Sequence, residues 1–116
     1  MASLRNNLGV LNKILRVDNI TVQERISLLS LKVGLVGDRE KMEIHVELSQ
    51  LYSSLNQLEL AYVELDQAGV AVQNDKAKVI QILGMKVDIE HRRQRLNRAQ
   101  QLLNQIEKLE KLEKLE

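Results

Sequence analysis

The stretch MEIHVELSQLYSSLNQLELAYVELDQA, residues 42–68, decides the fold class of this 116-residue chain. Ile44, Leu48, Leu51 and Leu55 recur at steps of three and four, as do Leu58, Ala61, Leu65 and Ala68. That spacing gathers each set on one side of a helix. Between them, Ser53-Ser54-Leu55-Asn56-Gln57 is a soft spot, because Ser and Asn side chains compete with the helix for backbone hydrogen bonds. Residues 39–68 therefore form one long helix or two helices joined by a tight turn.

The same reading extends to both sides. Upstream, Leu4, Leu8, Leu11, Ile14 and Leu15 share one stripe of a helix running roughly from Ser3 to Arg16. Thr21-Val22-Gln23-Glu24 has the form of a reciprocal capping box, so a second helix starts at about Val22. Its apolar face holds Ile26, Leu29, Val33 and Val36, and it is expected to stop at a left-handed Gly37, with Asp38 capping the next helix as its antiparallel neighbour. Downstream, Gly69 is expected to end the segment, Asn74 and Asp75 supply the next cap, and a helical pattern runs from Lys76 to Glu116 with a second possible break around His91 to Gln94. The pattern gives one helical domain over residues 1–106 and a low-complexity helical tail over residues 107–116, in which Glu107 with Lys111 and Glu110 with Lys114 have favourable spacing. Leu at every third tail residue drifts around a helix and makes no clean heptad.

Composition agrees with an all-α architecture of antiparallel hairpins. Hydrophobic residues make up 44% of the chain but aromatics only 2%, with no Phe or Trp, so Leu, Ile, Val, Met and Ala must build the core. The absence of Pro leaves long helices unopposed, and 5 Gly are few for a fold with many tight turns. Lys plus Arg number 17 against 16 Asp plus Glu, a net +1 that creates no global field for nucleic acid or an anionic membrane. There is no Cys for disulfides, thiolate nucleophiles or Cys-based zinc sites, which fits a reducing, cytoplasmic setting. No apolar run has the length of a signal peptide or a membrane span, so no membrane insertion is expected.

The two soft spots reveal an internal repeat. Leu58, Ala61, Leu65 and Ala68 recur 38 residues later as Leu96, Ala99, Leu103 and Ile106. Upstream of them, Leu48, Ser49 and Tyr52 match Leu83, Gly84 and Val87 at an offset of 35, so the second copy is expected to have a turn longer by three residues. A backward shift of 34 places Ser27, Leu31 and Gly34 under Ala61, Leu65 and Ala68.

Leu48, Ser49, Tyr52, Asn56, Ala61, Leu65 and Ala68 resemble the signature positions of a tetratricopeptide repeat, a 34-residue helical hairpin, in a copy starting near Met42. The resemblance implies three hairpins over about residues 8–113. His45 stands where the family favours a large side chain, no Pro closes any repeat, and the third copy is irregular. A plain helical bundle or coiled-coil hairpin is the alternative. If the resemblance holds, first-helix residues Asn12, Lys13, Arg16, Glu43, Glu47, Gln50, Lys78, Gln81 and Met85 line a partner groove. Glu43 and Glu47 in the central hairpin replace the Asn, Lys and Arg set with which part of the family clamps a C-terminal carboxylate.

Residues that might carry chemistry are sparse. His45 and His91 lack metal-ligand spacing and read as surface or boundary positions. Gly34 and Gly37 lack the Lys-Ser/Thr of a phosphate loop, and Glu40, Glu43 and Glu47 read as a solvated helix face, so no cofactor, metal or catalytic site is expected. Arg92, Arg93, Arg95 and Arg98 form a local basic patch, but on a helix only His91, Arg95 and Arg98 share a stripe, and Asp88 is positioned to pair with Arg92. With only Tyr52 and Tyr62 as aromatic platforms, nucleic-acid contact is the weakest of three expectations. The first is a non-catalytic interaction module or adaptor that presents helix faces to another protein. The second is self-association along residues 76–116 through Ile82, Ile89, Leu96, Leu103 and Ile106.

Overall fold

The computed structural model describes the backbone of residues 8–115 and the side chains of residues 8–112. Leu4, the expected helix start at Ser3 and the side chain of Lys114 lie outside the described residues. Six helices follow in order: α1 (Leu8–Leu15), α2 (Val22–Lys32), α3 (Asp38–Ser54), α4 (Leu58–Ala71), α5 (Lys76–Arg92) and α6 (Leu96–Leu115). The chain is all-helical, and each helix packs on the next along the sequence.

Both soft spots are turns. At the first, Gln57 N donates to Tyr52 O at 2.9 Å and Asn56 N to Ser53 O at 2.9 Å, while Asn56 sits at φ 58°. At the second, Arg95 N donates to Glu90 O at 2.8 Å and Gln94 N to His91 O at 3.0 Å, with Gln94 at φ 60°. These are paired Schellman closures, in which a left-handed residue lets the last carbonyls of one helix be satisfied by the amides that lead into the next. Asn tolerates that conformation better than Gln.

The turns also set the repeat. α3 and α5 are each 17 residues long and start 38 positions apart, as do α4 and α6. The 35-residue offset for the first helices and the longer second turn are therefore both incorrect. The 38-residue step holds through the whole hairpin because identical turn geometry fixes the register on both sides. The 34-residue shift into α2 fails as well: Ser27 and Gly34 are exposed, and Ile26 and Leu29 carry the buried face.

Thr21 caps α2 as its sequence requires, exchanging hydrogen bonds of 3.0 Å with Glu24 in both directions. Asp75 caps α5 by accepting from Lys78 N at 3.2 Å. Two expected stops, Gly37 and Gly69, and the expected Asp38 cap differ. α2 ends at Lys32 and passes into a 3₁₀ turn, Val33–Leu35, where Gly34 beside the β-branched Val33 weakens the α-helix. Gly37 is extended at φ −80°, ψ 177° and is itself the residue that caps α3, leaving Asp38 and Glu40 in the first turn beside the positive helix end. Gly69 lies within α4, which continues to Ala71.

Three apolar clusters lie in series. Ile26, Leu29, Ile44 and Leu48 join the first hairpin to α3; Met42, Ala61, Leu65, Ala68, Ile82 and Ile89 join α3 and α4 to α5; Leu83, Val87, Ala99 and Leu102 join α5 to α6. Tyr52 contacts the first two clusters and Tyr62 the last two. Small residues at Ala61, Ala68 and Ala99, all fully buried, let the helix backbones approach closely. Serial cores make the molecule long: its extents are 52 × 34 × 20 Å and its radius of gyration 16.0 Å, against roughly 13 Å for a compact domain of this size.

The self-association seam does not exist as one face. Ile82 and Ile89 are buried against α4 within the chain, and Leu96, Leu103 and Ile106 lie on a different helix beyond the Gln94 turn. Residues 107–115 continue α6, and Leu109 still packs on the Leu83 cluster.

Candidate binding clefts

Two open clefts lie between successive first helices; the residues that the α1 segment and α3 bring to the first recur in the second at the 38-residue step, whereas Arg25, Leu29 and Lys32 of α2 have no such counterparts there. The first, of about 270 Å³, is lined by Asn12 and Leu15 of α1 with Arg16 just after it, Arg25, Leu29 and Lys32 of α2, and Glu47 of α3. The second, of about 520 Å³, is lined by Ser49, Gln50, Ser53 and Ser54 of α3, Leu65 of α4, and Met85, Asp88, Ile89 and Arg92 of α5. Asn12, Leu15, Arg16 and Glu47 in the first stand at the places of Gln50, Ser53, Ser54 and Met85 in the second. Stacked hairpins line one wall of each concavity from matching positions of successive first helices, while α2 and α4 line the other wall differently.

Their chemistry differs. In the first cleft Arg25 Nε lies 2.6 Å from Glu47 Oε2, and its Nη1 donates to Leu15 O at 3.0 Å. This ties all three helices together and neutralises Glu47. In the second cleft two serines and the arginine are spent internally: Ser49 Oγ donates to Val46 O at 2.7 Å, Ser54 Oγ to Leu51 O at 2.6 Å, and Arg92 Nη2 to Ser53 O at 3.2 Å. The floor there is Leu65 and Ile89, with Met85 half-buried beside them. Arg92 thus reaches across to α3 rather than pairing with Asp88, because the cleft brings the Ser53 carbonyl within range.

Of the groove residues expected from sequence, Asn12, Arg16 and Glu47 meet in the first cleft, and Gln50 and Met85 in the second. Lys78 lies elsewhere, in a pocket of about 440 Å³ with Asp38, Arg39, Ala71, Val72, Asn74 and Asp75. Lys13, Glu43 and Gln81 are exposed and line neither cleft. Asp88 and Arg92 were hidden by the 35-residue offset; one 38-residue step from Gln50 and Ser54 falls on them.

The basic patch is divided among three environments. Arg92 belongs to the second cleft, Arg93 turns inward to Glu90 with Nη1 at 3.1 Å from Oε1, and Arg95 and Arg98 are exposed. Glu90 is completely buried, and its Oε2 has no hydrogen-bond partner among the described residues. His45 Nδ1 lies 2.7 Å from Glu64 Oε2 between α3 and α4, and His91 is exposed. Among the described residues, no three His, Cys, Asp or Glu side chains are grouped to hold a metal ion, and no helix is long and apolar enough to cross a membrane. On the opposite edge of the α4–α5 pair, Lys86 Nζ sits 2.6 Å from Asp66 Oδ1 and 5.2 Å from the Tyr62 ring centroid, a packing contact between neighbouring hairpins.

No protein-family model, curated protein or solved structure matches this chain.

Proposed function

We propose that the chain is a non-catalytic protein-interaction module, a short stack of hairpins resembling tetratricopeptide repeats, which holds a segment of another protein across its two clefts. The observation that carries this reading is the shared register of the clefts: Asn12, Arg16 and Glu47 line the first at the positions that Gln50, Ser54 and Met85 occupy in the second, one hairpin later. A plain bundle buries its inward faces in one core and has no reason to place open concavities at matching positions of successive helices. The step of 38 residues departs from the family's 34, and the reading rests on the clefts rather than on that number.

A random dodecapeptide library displayed on phage tests it. Binders selected on the wild-type chain should lose at least tenfold in affinity for Met85→Arg and keep it for Val63→Lys, an exposed site on α4. Binders indifferent to Met85→Arg would refute the assignment of the clefts.

Self-association remains the second reading, now confined to α6. Leu103 stands 38 residues after Leu65, yet it is 40% exposed where Leu65 is 1% exposed, and Leu96 is 65% exposed. A dimer that closes this end should become monomeric in sedimentation when Leu96 and Leu103 are changed to Gln; a wild-type chain that is monomeric throughout excludes it.

A further inference from the structure

The two clefts differ in what their side chains leave unsatisfied. The first holds three cations and one carboxylate, and Arg25 is already committed to Glu47. The side chains of Arg16 and Lys32 engage no hydrogen bond or ion pair among the described residues. Two unpaired cations beside the apolar Leu15 and Leu29, in a chain of net charge only +1, make a local site for an anionic group. Lys32 is half-buried and Arg16 exposed, so the gain in attraction over open water falls on Lys32. The half-buried Asn12 amide adds a neutral donor. In the second cleft the hydroxyls of Ser49 and Ser54 and the Arg92 guanidinium are occupied within the protein. What it offers is the Leu65, Ile89 and Met85 surface, which takes an aliphatic side chain.

Spacing and polarity follow. α3 lies between the clefts, so their centres are about one helix diameter apart, roughly 10–12 Å. An extended chain covers that in about three residues at about 3.3 Å each. Asp88 at the rim of the second cleft repels acidic groups there and fixes which end of the segment faces α1.

We propose that the partner is an extended internal segment carrying an acidic side chain, held by Arg16 and Lys32, about three residues from an aliphatic side chain seated on Leu65, Ile89 and Met85. This rests on the reading of the clefts given above, and the same library separates the two. Phage display here fuses the peptide's C-terminus to the coat protein, so no terminal carboxylate is available and selected acidic residues act through their side chains. Among Met85-dependent binders, Asp or Glu two to four residues from Leu, Ile, Val or Met should be enriched at least tenfold over the starting library. Selection on Arg16→Glu with Lys32→Glu should lose that enrichment and favour Lys or Arg instead. Arg16→Gln with Lys32→Gln, with helicity checked by circular dichroism, serves if the double reversal unfolds the chain, and should weaken the best acidic peptide at least tenfold. Affinity of that peptide should fall as salt rises. Met85-dependent binders without acidic enrichment would overturn the proposed partner chemistry and leave the interaction module standing. The absence of any Met85-dependent binder would overturn both.

Discussion

Glu90 offers the sharpest test of the energetics because its partner and its burial are so unequal. Its side chain is 0% exposed, with Oε1 3.1 Å from Arg93 Nη1 and Oε2 unpartnered, whereas the Arg93 side chain is 16% exposed and lies beside water. Arg93→Ala removes the one counter-charge and leaves a buried carboxylate alone, a loss of about 3–5 kcal/mol. For a domain of this size that lowers the melting temperature by roughly 12–20 °C, at about 4 °C per kcal/mol. Glu90→Met removes the stranded oxygen, fills the same space with a flexible apolar chain and frees Arg93 to turn outward. Its expected effect runs from neutral to about 4 kcal/mol of stabilisation. The double variant should recover most of what Arg93→Ala loses, because no charge is left inside. One hairpin earlier the same position is Tyr52, half-buried between two apolar clusters, so the fold already accepts an uncharged side chain there. Urea denaturation with parallel thermal melts gives all three values. If Glu90→Met proves as destabilising as Arg93→Ala, the carboxylate is needed inside and the buried charge is not a liability.

Further outcomes follow from the turns, the core and the cap. Gln94→Gly should stabilise by about 0.5–1 kcal/mol, since a left-handed non-glycine costs about 1–2 kcal/mol against a smaller entropic penalty for Gly; Asn56→Gly should gain less, and equal gains in thermal melts would contradict the conformational argument. Leu65→Ala, at the centre of the middle cluster, should lose about 2–5 kcal/mol in chemical denaturation, while Leu103→Ala at the equivalent exposed site should lose far less. Thr21→Ala should cost about 1 kcal/mol. The Thr21 backbone amide, and then its hydroxyl, hold the Glu24 carboxyl below its ordinary value of 4.5. A lowered folded-state pKa stabilises above the unfolded value, so the stability difference between wild type and Glu24→Gln should shrink as pH falls below about 4.5, and a difference that grows with acid would refute the capping role.

Local chemistry made most of the helices legible. Aliphatic spacing marked every helical segment, Thr21 and Glu24 fixed the start of α2, Asp75 that of α5, and Ser53 to Gln57 and His91 to Gln94 marked the places where the chain turns back. These signals act within one turn of helix, so neighbouring residues suffice to reveal them. Gly37 misled because an extended Gly before a helix and a left-handed Gly after one look alike in sequence.

Helical periodicity alone left the register of the hairpins open, since helical faces tolerate shifts of three or four residues. Offsets of 34, 35 and 38 each laid at least one Leu on another: Leu31 on Leu65, Leu48 on Leu83, and Leu58 on Leu96. Only packing chose 38, because the left-handed Asn56 and Gln94 must occupy the same point of the same turn. The choice brought Asp88 and Arg92 beside Gln50 and Ser54, buried Ile82 and Ile89 that had read as a seam, and turned Arg93 toward Glu90. The sequence by itself determined that this protein is helical and roughly where each helix begins; the tertiary structure decided which faces are left open, because a side chain's exposure depends on the helix that packs against it, and that helix lies tens of residues away.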